Sequence, residues 1–324
     1  MSLPQDFSAA VAAWLAARPR EISRREGSRA LSATYRAGGS SQAIDLASYL
    51  VTRLPATYAA VSRVLAELAA RRPEFAPDSL LDAGSGPGTA SWAAAAVWPG
   101  LGQITFLDNA PEFLKLAAEL ARHGSEPLRR AEARAGSIGA IGEAQAAELV
   151  IAAYALAELP LAQAATVASG LWRASGSVLV LVEPGTPNGF ARIRSAREAL
   201  LAQGAVPVAP CPHAQACPMA DGDWCHFSVR LARSREHMHA KSARVPFEDE
   251  KFAYLIVARE GAASGGARIV APPQHVKPGC RFRLCADGRV AERLIARREA
   301  ALYKQVRKMD WGDLLPPSND RENA

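Results

Sequence analysis

Two groups of residues in this 324-residue chain could carry chemistry. The first is a set of five cysteines, Cys211, Cys217, Cys225, Cys280 and Cys285, all after residue 210. The first three stand in Cys211-Pro212-His213, Cys217-Pro218-Met219 and Trp224-Cys225-His226, a C-x5-C-x7-C spacing. An odd count without an export signal argues against a disulfide framework, and thiols crowded in this way are more often metal ligands. Three close thiols and one distant thiol are enough to surround a metal. Zinc ribbons prefer C-x2-C knuckles. The wider spacings suit an iron–sulfur cluster, which is larger than a single ion, and proline directly after a ligand cysteine recurs in ferredoxin-type sites. His213 and His226 keep a mixed Cys/His zinc site open as the alternative. By residue type alone the fourth ligand is Cys280 or Cys285.

The second group is a glycine loop. Gly84-Ser85-Gly86-Pro87-Gly88-Thr89 follows the apolar run Ser79-Leu80-Leu81-Asp82-Ala83 and precedes a helix-like segment at 90–98. A strand, a glycine turn and a helix in that order make a nucleotide loop: the glycines allow a tight turn and close approach of a ligand, and the helix start offers unpaired N–H donors. No lysine follows, so this is not a phosphate-gripping P-loop. Asp108 ends the next strand-like run, 103–107, where a carboxylate can accept both hydroxyls of a ribose. The bland reading is a structural turn that binds nothing.

The third glycine comes two residues after the second, not three as in the dinucleotide fingerprint. With Leu81-Asp82-Ala83-Gly84-Ser85-Gly86-Pro87-Gly88, the loop resembles motif I of class I S-adenosylmethionine (SAM)-dependent methyltransferases. The resemblance implies SAM contacts at Gly84, Gly86 and Gly88, puts Asp82 near the methionine amino group and Asp108 on the ribose. No catalytic residue emerges. The place where amino-methylating enzymes carry Asn-Pro-Pro-Tyr reads Ala152-Ala153-Tyr154-Ala155-Leu156, and this half has no nucleophilic cysteine. A positioned methyl donor can still react through proximity. Radical SAM chemistry is disfavoured, because its C-x3-C-x2-C type loop is missing.

The elements that must position these groups follow from the pattern of the chain. Residues 1–75 read as helical, with amphipathic stretches at 7–17 and 41–72 and Pro55 breaking the second. From about 78, strand-like runs at 79–83, 103–107, 148–153 and 177–182 alternate with helical ones, which predicts a parallel sheet covered on both faces. After about 190 the pattern breaks. Short strands are expected at 227–231, 252–258, 268–271 and 281–285, then a basic helix at 297–308. The expected division is 1–75, a helical region; 76–200, a SAM-binding domain; and 201–324, a metal-binding segment with strands and the basic helix.

Apolar residues make up 49% of the chain and charged residues 22%, ordinary for a folded protein and incompatible with disorder throughout. No apolar stretch is long enough to span a membrane. The net charge is +6, mostly from arginine, which tilts toward nucleic acid but is also what a GC-rich genome imposes. Arginines gather at Arg18, Arg20, Arg24, Arg25, Arg29 and Arg36, and again from Arg281 to the basic helix.

Several segments together resemble the methyltransferase-like small-ribosomal-subunit assembly factors known from mitochondria and bacteria. They are residues 54–60, 81–89, 154–159 (Tyr-Ala-Leu-Ala-Glu-Leu), 182–187 (Val-Glu-Pro-Gly-Thr-Pro), the cysteine segment, 246–252 and 308–313. The resemblance implies an α/β fold: a class I SAM-methyltransferase (Rossmann-like) sheet with an N-terminal helical region and a Cys-rich metal-binding extension. It implies a [4Fe–4S] cluster on Cys211, Cys217, Cys225 and a fourth cysteine just before a turn glycine. Leu284-Cys285-Ala286-Asp287-Gly288 matches, which selects Cys285 and leaves Cys280 as a spare thiol. It implies SAM as cofactor and small-subunit rRNA as partner, with active rRNA methylation as the alternative to an assembly role. The chain is expected to act as a monomer off the ribosome, without a membrane. Its short N-terminus, with no export signal, gives the expectation of a bacterial, cytoplasmic protein.

Overall fold

The computed structural model describes residues 2–18, 45–141 and 146–316. Arg20, Arg24, Arg25, Arg29 and Arg36 of the first arginine group lie outside them, as do residues 41–44 of the expected second helix. Helices cover Gln5–Ala16, Leu46–Thr52 and Leu54–Arg71. Asp45 caps the second of these, its carboxylate accepting from the Ala47 and Ser48 N–H groups. The break falls at Arg53, and Pro55 occupies the first turn of the next helix, where its missing N–H costs nothing.

Strands β1 (Ser79–Ala83), β2 (Gln103–Asp108), β3 (Glu132–Ala135), β4 (Ala147–Ala153) and β5 (Ser175–Pro184) run parallel. Helices Thr89–Val97, Pro111–Ala121 and Ala164–Ala174 lie in the crossovers. The sheet does not stop where the alternation ends. Beyond helix Pro187–Leu201 come β6 (Val206–Ala209), β7 (Phe227–Ala232) and β8 (Phe247–Ala258). β8 runs antiparallel to β5, from Val178 opposite Ala258 to Pro184 opposite Phe252, and β6 closes its other edge. The order is β3-β2-β1-β4-β5-β8-β6, with β7 also paired to β8.

This corrects two expectations. The sheet is mixed, not parallel, and residue 200 is not its boundary, because residues 206–258 complete it. The physical reason lies in β8, whose residues 252–258 are all buried: an apolar strand of that length needs partners on both edges.

The core fills both faces of this sheet. Helix Leu54–Arg71 and helix Thr89–Val97 cover one face, with Leu65, Leu68, Phe106 and Ile151 at its centre. Helices Ala164–Ala174 and Pro187–Leu201 cover the other, over Leu81, Val150, Leu179 and Leu255. A second, smaller sheet follows: β9 (Ala267–Ile269), β10 (Gln274–Val276), β11 (Gly279–Ala286), β12 (Arg289–Ala296) and β13 (Leu314–Leu315). Its own core joins Ile269, Cys280, Phe282 and Ile295 to Val306 of helix Ala300–Val306. Among the described residues no helix is long and apolar enough to cross a membrane.

Candidate functional site: a glycine-loop pocket and a thiol-lined cavity

The glycine loop opens at the carboxyl end of β1. Gly84, Gly86 and Gly88 all have positive φ (+73°, +50° and +78°), the left-handed region that side chains resist. Gly84 and Ser85 donate to the Leu107 carbonyl, which ties the loop to β2. A Cβ at Gly84 would stand 2.6 Å from the Ala155 side chain, so this wall of the pocket is closed to any larger residue. Gly84, Gly86 and Asp108 line one cavity of about 170 Å³, together with Tyr49, Phe113, Ile138, Tyr154 and Glu158.

Asp108 sits at the rim of that cavity, 7% exposed. One carboxylate oxygen accepts from the Gly86 N–H at 2.7 Å, the other from the Ala110 N–H at 2.9 Å. Burial pushes its carboxyl above the ordinary value, and these N–H donors oppose the rise. Each oxygen keeps a lone pair for a further donor. The described lining carries two carboxylic acids, Asp108 and Glu158, and no lysine or arginine.

Asp82 and Gly88 stand behind this wall. The Asp82 carboxylate turns to the next helix, accepting from the Ser91 N–H (3.0 Å) and Ser91 hydroxyl (2.8 Å). It is 1% exposed, and burial raises its pKa to about 7 against those two bonds. Gly88 is the residue before helix Thr89–Val97, with the Phe106 ring 3.1 Å from where a Cβ would be. Neither lines the cavity.

Sequence reasoning quoted Tyr154, Glu158 and Glu183 only as parts of motifs and did not single out Tyr49. Tyr154 is held at φ +60° just past β4, and its hydroxyl donates to Glu250 at 2.8 Å. A tyrosine in that conformation is strained, and such residues gather at functional sites. Glu183, fully buried, accepts from the Leu156 N–H and fixes the turn that carries Glu158. Burial lifts its carboxyl to about 8, with Arg192 opposing. The signal that could have found these residues is an ionisable or aromatic side chain at the end of an apolar strand: Tyr154 after β4, Glu183 near the end of β5.

The second site lies about β6 and the two sheets. Cys211 follows β6, Cys217 and Cys225 come from the loop before β7, and Cys285 comes from β11. All four line one small cavity. Helix Pro187–Leu201 contributes Phe190, Ile193 and Arg197, β8 contributes Tyr254 and Leu255, and β9 contributes Arg268. Burial pushes the Cys211, Cys225 and Cys285 thiols up, and neighbouring thiols add to the rise at Cys225 and Cys285, which leaves Cys285 at about 12. Arg197 and Arg268 pull against that rise at Cys211 and Cys285, and Arg197 Nε donates to Cys211 Sγ at 3.2 Å. Cys280 is elsewhere, fully buried in the small sheet's core with His275 Nδ1 at 3.2 Å. His213 lines the cavity, 3.5 Å from Cys285 Sγ, and its Nδ1 has no partner. His226 does not line it; its ring packs between Trp224 and Trp311. Among the described residues no three His, Cys, Asp or Glu side chains gather where one metal ion could sit. The thiols border a space instead of meeting at a point.

A basic surface accompanies these sites. Arg281, Arg289, Arg293, Arg297, Arg298, Lys304, Arg307 and Lys308 are exposed, and among the described residues none of them forms an ion pair. Arg283, expected among them, pairs with Asp223 instead. At the other end Arg18 stacks on Trp14 and bonds Glu119, so its charge is already engaged.

Strand order and glycine turn define a class I methyltransferase-type α/β fold, here extended by a second sheet and a thiol-lined cavity. The chain belongs to the Rsm22 family, described as mitochondrial small ribosomal subunit Rsm22, whose pattern matches residues 43–316. It is similar to the human ribosome assembly protein METTL17, mitochondrial: 34% identity over 290 residues, covering 83% of this chain and 62% of that protein. It is also similar to the Schizosaccharomyces pombe Rsm22-cox11 tandem protein 2, mitochondrial, at 24% identity over 83% of this chain and 43% of the relative. The chain thus spans between two fifths and two thirds of the length of these relatives. Among solved structures it is similar to magnesium protoporphyrin IX methyltransferase from Synechocystis with bound SAM, at 14% identity, 75% of this chain, all of that one and TM-score 0.44. The expectation of a bacterial, cytoplasmic protein is overturned: the family description and these curated relatives are mitochondrial. The short N-terminus on which it rested carries no information about location.

Proposed function

We propose that this chain is a SAM-binding, [4Fe–4S]-containing factor that acts on small-subunit rRNA during ribosome assembly. One observation carries the reading: four thiols, from residues 211–225 and from Cys285 some sixty residues further on, border a single cavity between two sheets. The donor set fits an iron–sulfur cluster. It is all sulfur, it surrounds a space, and buried arginines offset the negative charge that thiolates bring. Cys211, Cys217, Cys225 and Cys285 would hold the cluster, which would fasten an irregular segment to both sheets. The family's ribosomal description and the name of the human relative supply the assembly context. The exposed basic residues from Arg281 to Lys308 suit phosphate contacts with little sequence reading.

In the glycine-loop pocket, Gly84 and Gly86 would let SAM approach the backbone and Asp108 would accept from its ribose. Asp82 and Gly88 would support the loop from behind. Anaerobically purified protein should be brown, with about four irons and four sulfides per chain. One zinc and no sulfide overturns the cluster. Methyl transfer to rRNA is the second reading, favoured by Asp108 and Glu158 in the pocket lining, whose acidic character suits the sulfonium of SAM better than its neutral product. Mapping methyl groups on small-subunit rRNA with and without the protein decides between the two.

A further inference from the structure

Arg268, on β9, is 1% exposed and borders the thiol cavity. Two of its nitrogens are fully engaged. Nε donates to the Pro210 carbonyl (2.8 Å), directly before Cys211. Nη1 donates to Glu67 (3.0 Å) on helix Leu54–Arg71 and to the Gly312 carbonyl. Nη2 is buried and has no partner. Arg197, the other buried arginine at the cavity, differs: its Nε bonds Cys211 and its Nη2 bonds the His213 and Gln215 carbonyls. Burying an N–H without an acceptor is unfavourable, so a guanidinium already fixed at three points calls for an acceptor on the cavity side.

The carbonyl of Gly312 belongs to the C-terminal segment. Ile269 exchanges backbone bonds with Gly312 and Asp313. The Trp311 ring meets His226 edge-on at 4.8 Å, one residue from Cys225. One side chain therefore touches the turn before the first cysteine, the helical region and the turn before the last strand.

We propose that Arg268 is the positioning residue of the thiol cavity: its free Nη2 donates to sulfur there, and through Pro210 and Gly312 it couples the filled cavity to the seating of residues 310–315. The proposal rests on the cavity's holding an iron–sulfur cluster. Hydrogen bonds to sulfur and nearby charge set the potential of such a cluster. Glu67 offsets the Arg268 charge, so the two residues act in opposite directions.

The test uses anaerobically purified holoprotein of the wild type, Arg268→Gln, Arg268→Lys and Glu67→Gln. Iron and sulfide are counted, the midpoint potential is titrated, and chymotryptic cleavage after Trp311 is timed. Arg268→Gln should move the potential negative and Glu67→Gln should move it positive, opposed shifts that general loosening does not produce. Removing the cluster from wild-type protein should speed cleavage about tenfold, the effect of losing one charge-assisted hydrogen bond. Arg268→Gln should cleave fast with or without the cluster. If that variant fails to fold, Arg268→Lys (fast cleavage, potential near wild type) and Glu67→Gln carry the test. Loaded variants with unchanged potential and unchanged cleavage overturn the role of Arg268 alone. Wild-type protein without iron and sulfide removes the cluster, and this proposal with it.

Discussion

Replacing Asp82 by asparagine keeps the shape of the side chain and removes its charge. Asp82 is 1% exposed, and burial takes its carboxyl from 3.8 to about 7. A rise of that size corresponds to about 4 kcal/mol of preference for the neutral form. The sign follows from linkage. The folded pKa lies above the unfolded one, so the folded state is penalised when the group ionises. That penalty is fully present above about pH 7 and fades as the pH falls to about 4. Asp82→Asn stays neutral throughout and should still accept from the Ser91 N–H. It should therefore be more stable than wild type by up to about 4 kcal/mol near pH 8 and equal to it near pH 4. Urea unfolding of both proteins at several pH values reads this difference directly. Calorimetry should show SAM affinity unchanged within about threefold, because the carboxylate faces Ser91 and not the pocket. A stability difference that does not vary with pH, or a loss that grows toward pH 8, refutes the burial argument. A tenfold or larger loss of SAM affinity places Asp82 on the ligand.

Asp108→Ala should weaken SAM binding by roughly 1–3 kcal/mol in calorimetry, the cost of losing a charged hydrogen-bonding partner; intact holoprotein that binds no SAM removes the pocket reading. Cys211→Ser, Cys217→Ser, Cys225→Ser and Cys285→Ser should each lose iron and solubility, while Cys280→Ser keeps its iron; the reverse result for Cys280 and Cys285 in metal analysis reverses the ligand set. Reversing Arg297, Arg298 and Arg307 to Glu should weaken small-subunit RNA binding strongly and leave SAM affinity alone. Gel shifts at two salt concentrations test it, since counterion release predicts a steep fall with salt and a flat response counts against RNA binding.

Local chemistry is what the sequence determined by itself. A glycine turn between an apolar strand and a helix, and an acid at the end of the next strand, are short-range patterns, so the loop at 84–88 and Asp108 could be read, and Gly84, Gly86 and Asp108 border one cavity. Four of the five parallel strands, β1, β2, β4 and β5, were legible because strand and helix periods alternate. β3 was not, since Glu-Ala-Arg-Ala on an exposed edge has no apolar signal. The extension of the sheet past residue 200 was hidden as well, because antiparallel pairing of β8 with β5 is set by partners some seventy residues apart. Tertiary structure also decided what each buried group faces. Asp82 turns to Ser91, a choice that no spacing shows. Cys280 and Cys285 are five apart on β11, and side chains alternate along a strand, so the two thiols must point to opposite faces. Which face meets Cys211, Cys217 and Cys225 depends on how the small sheet docks, and that docking is held by Arg268 and Glu67, 201 residues apart. A side chain's type and period are written locally, but its neighbours across the core exist only once the chain has closed on itself.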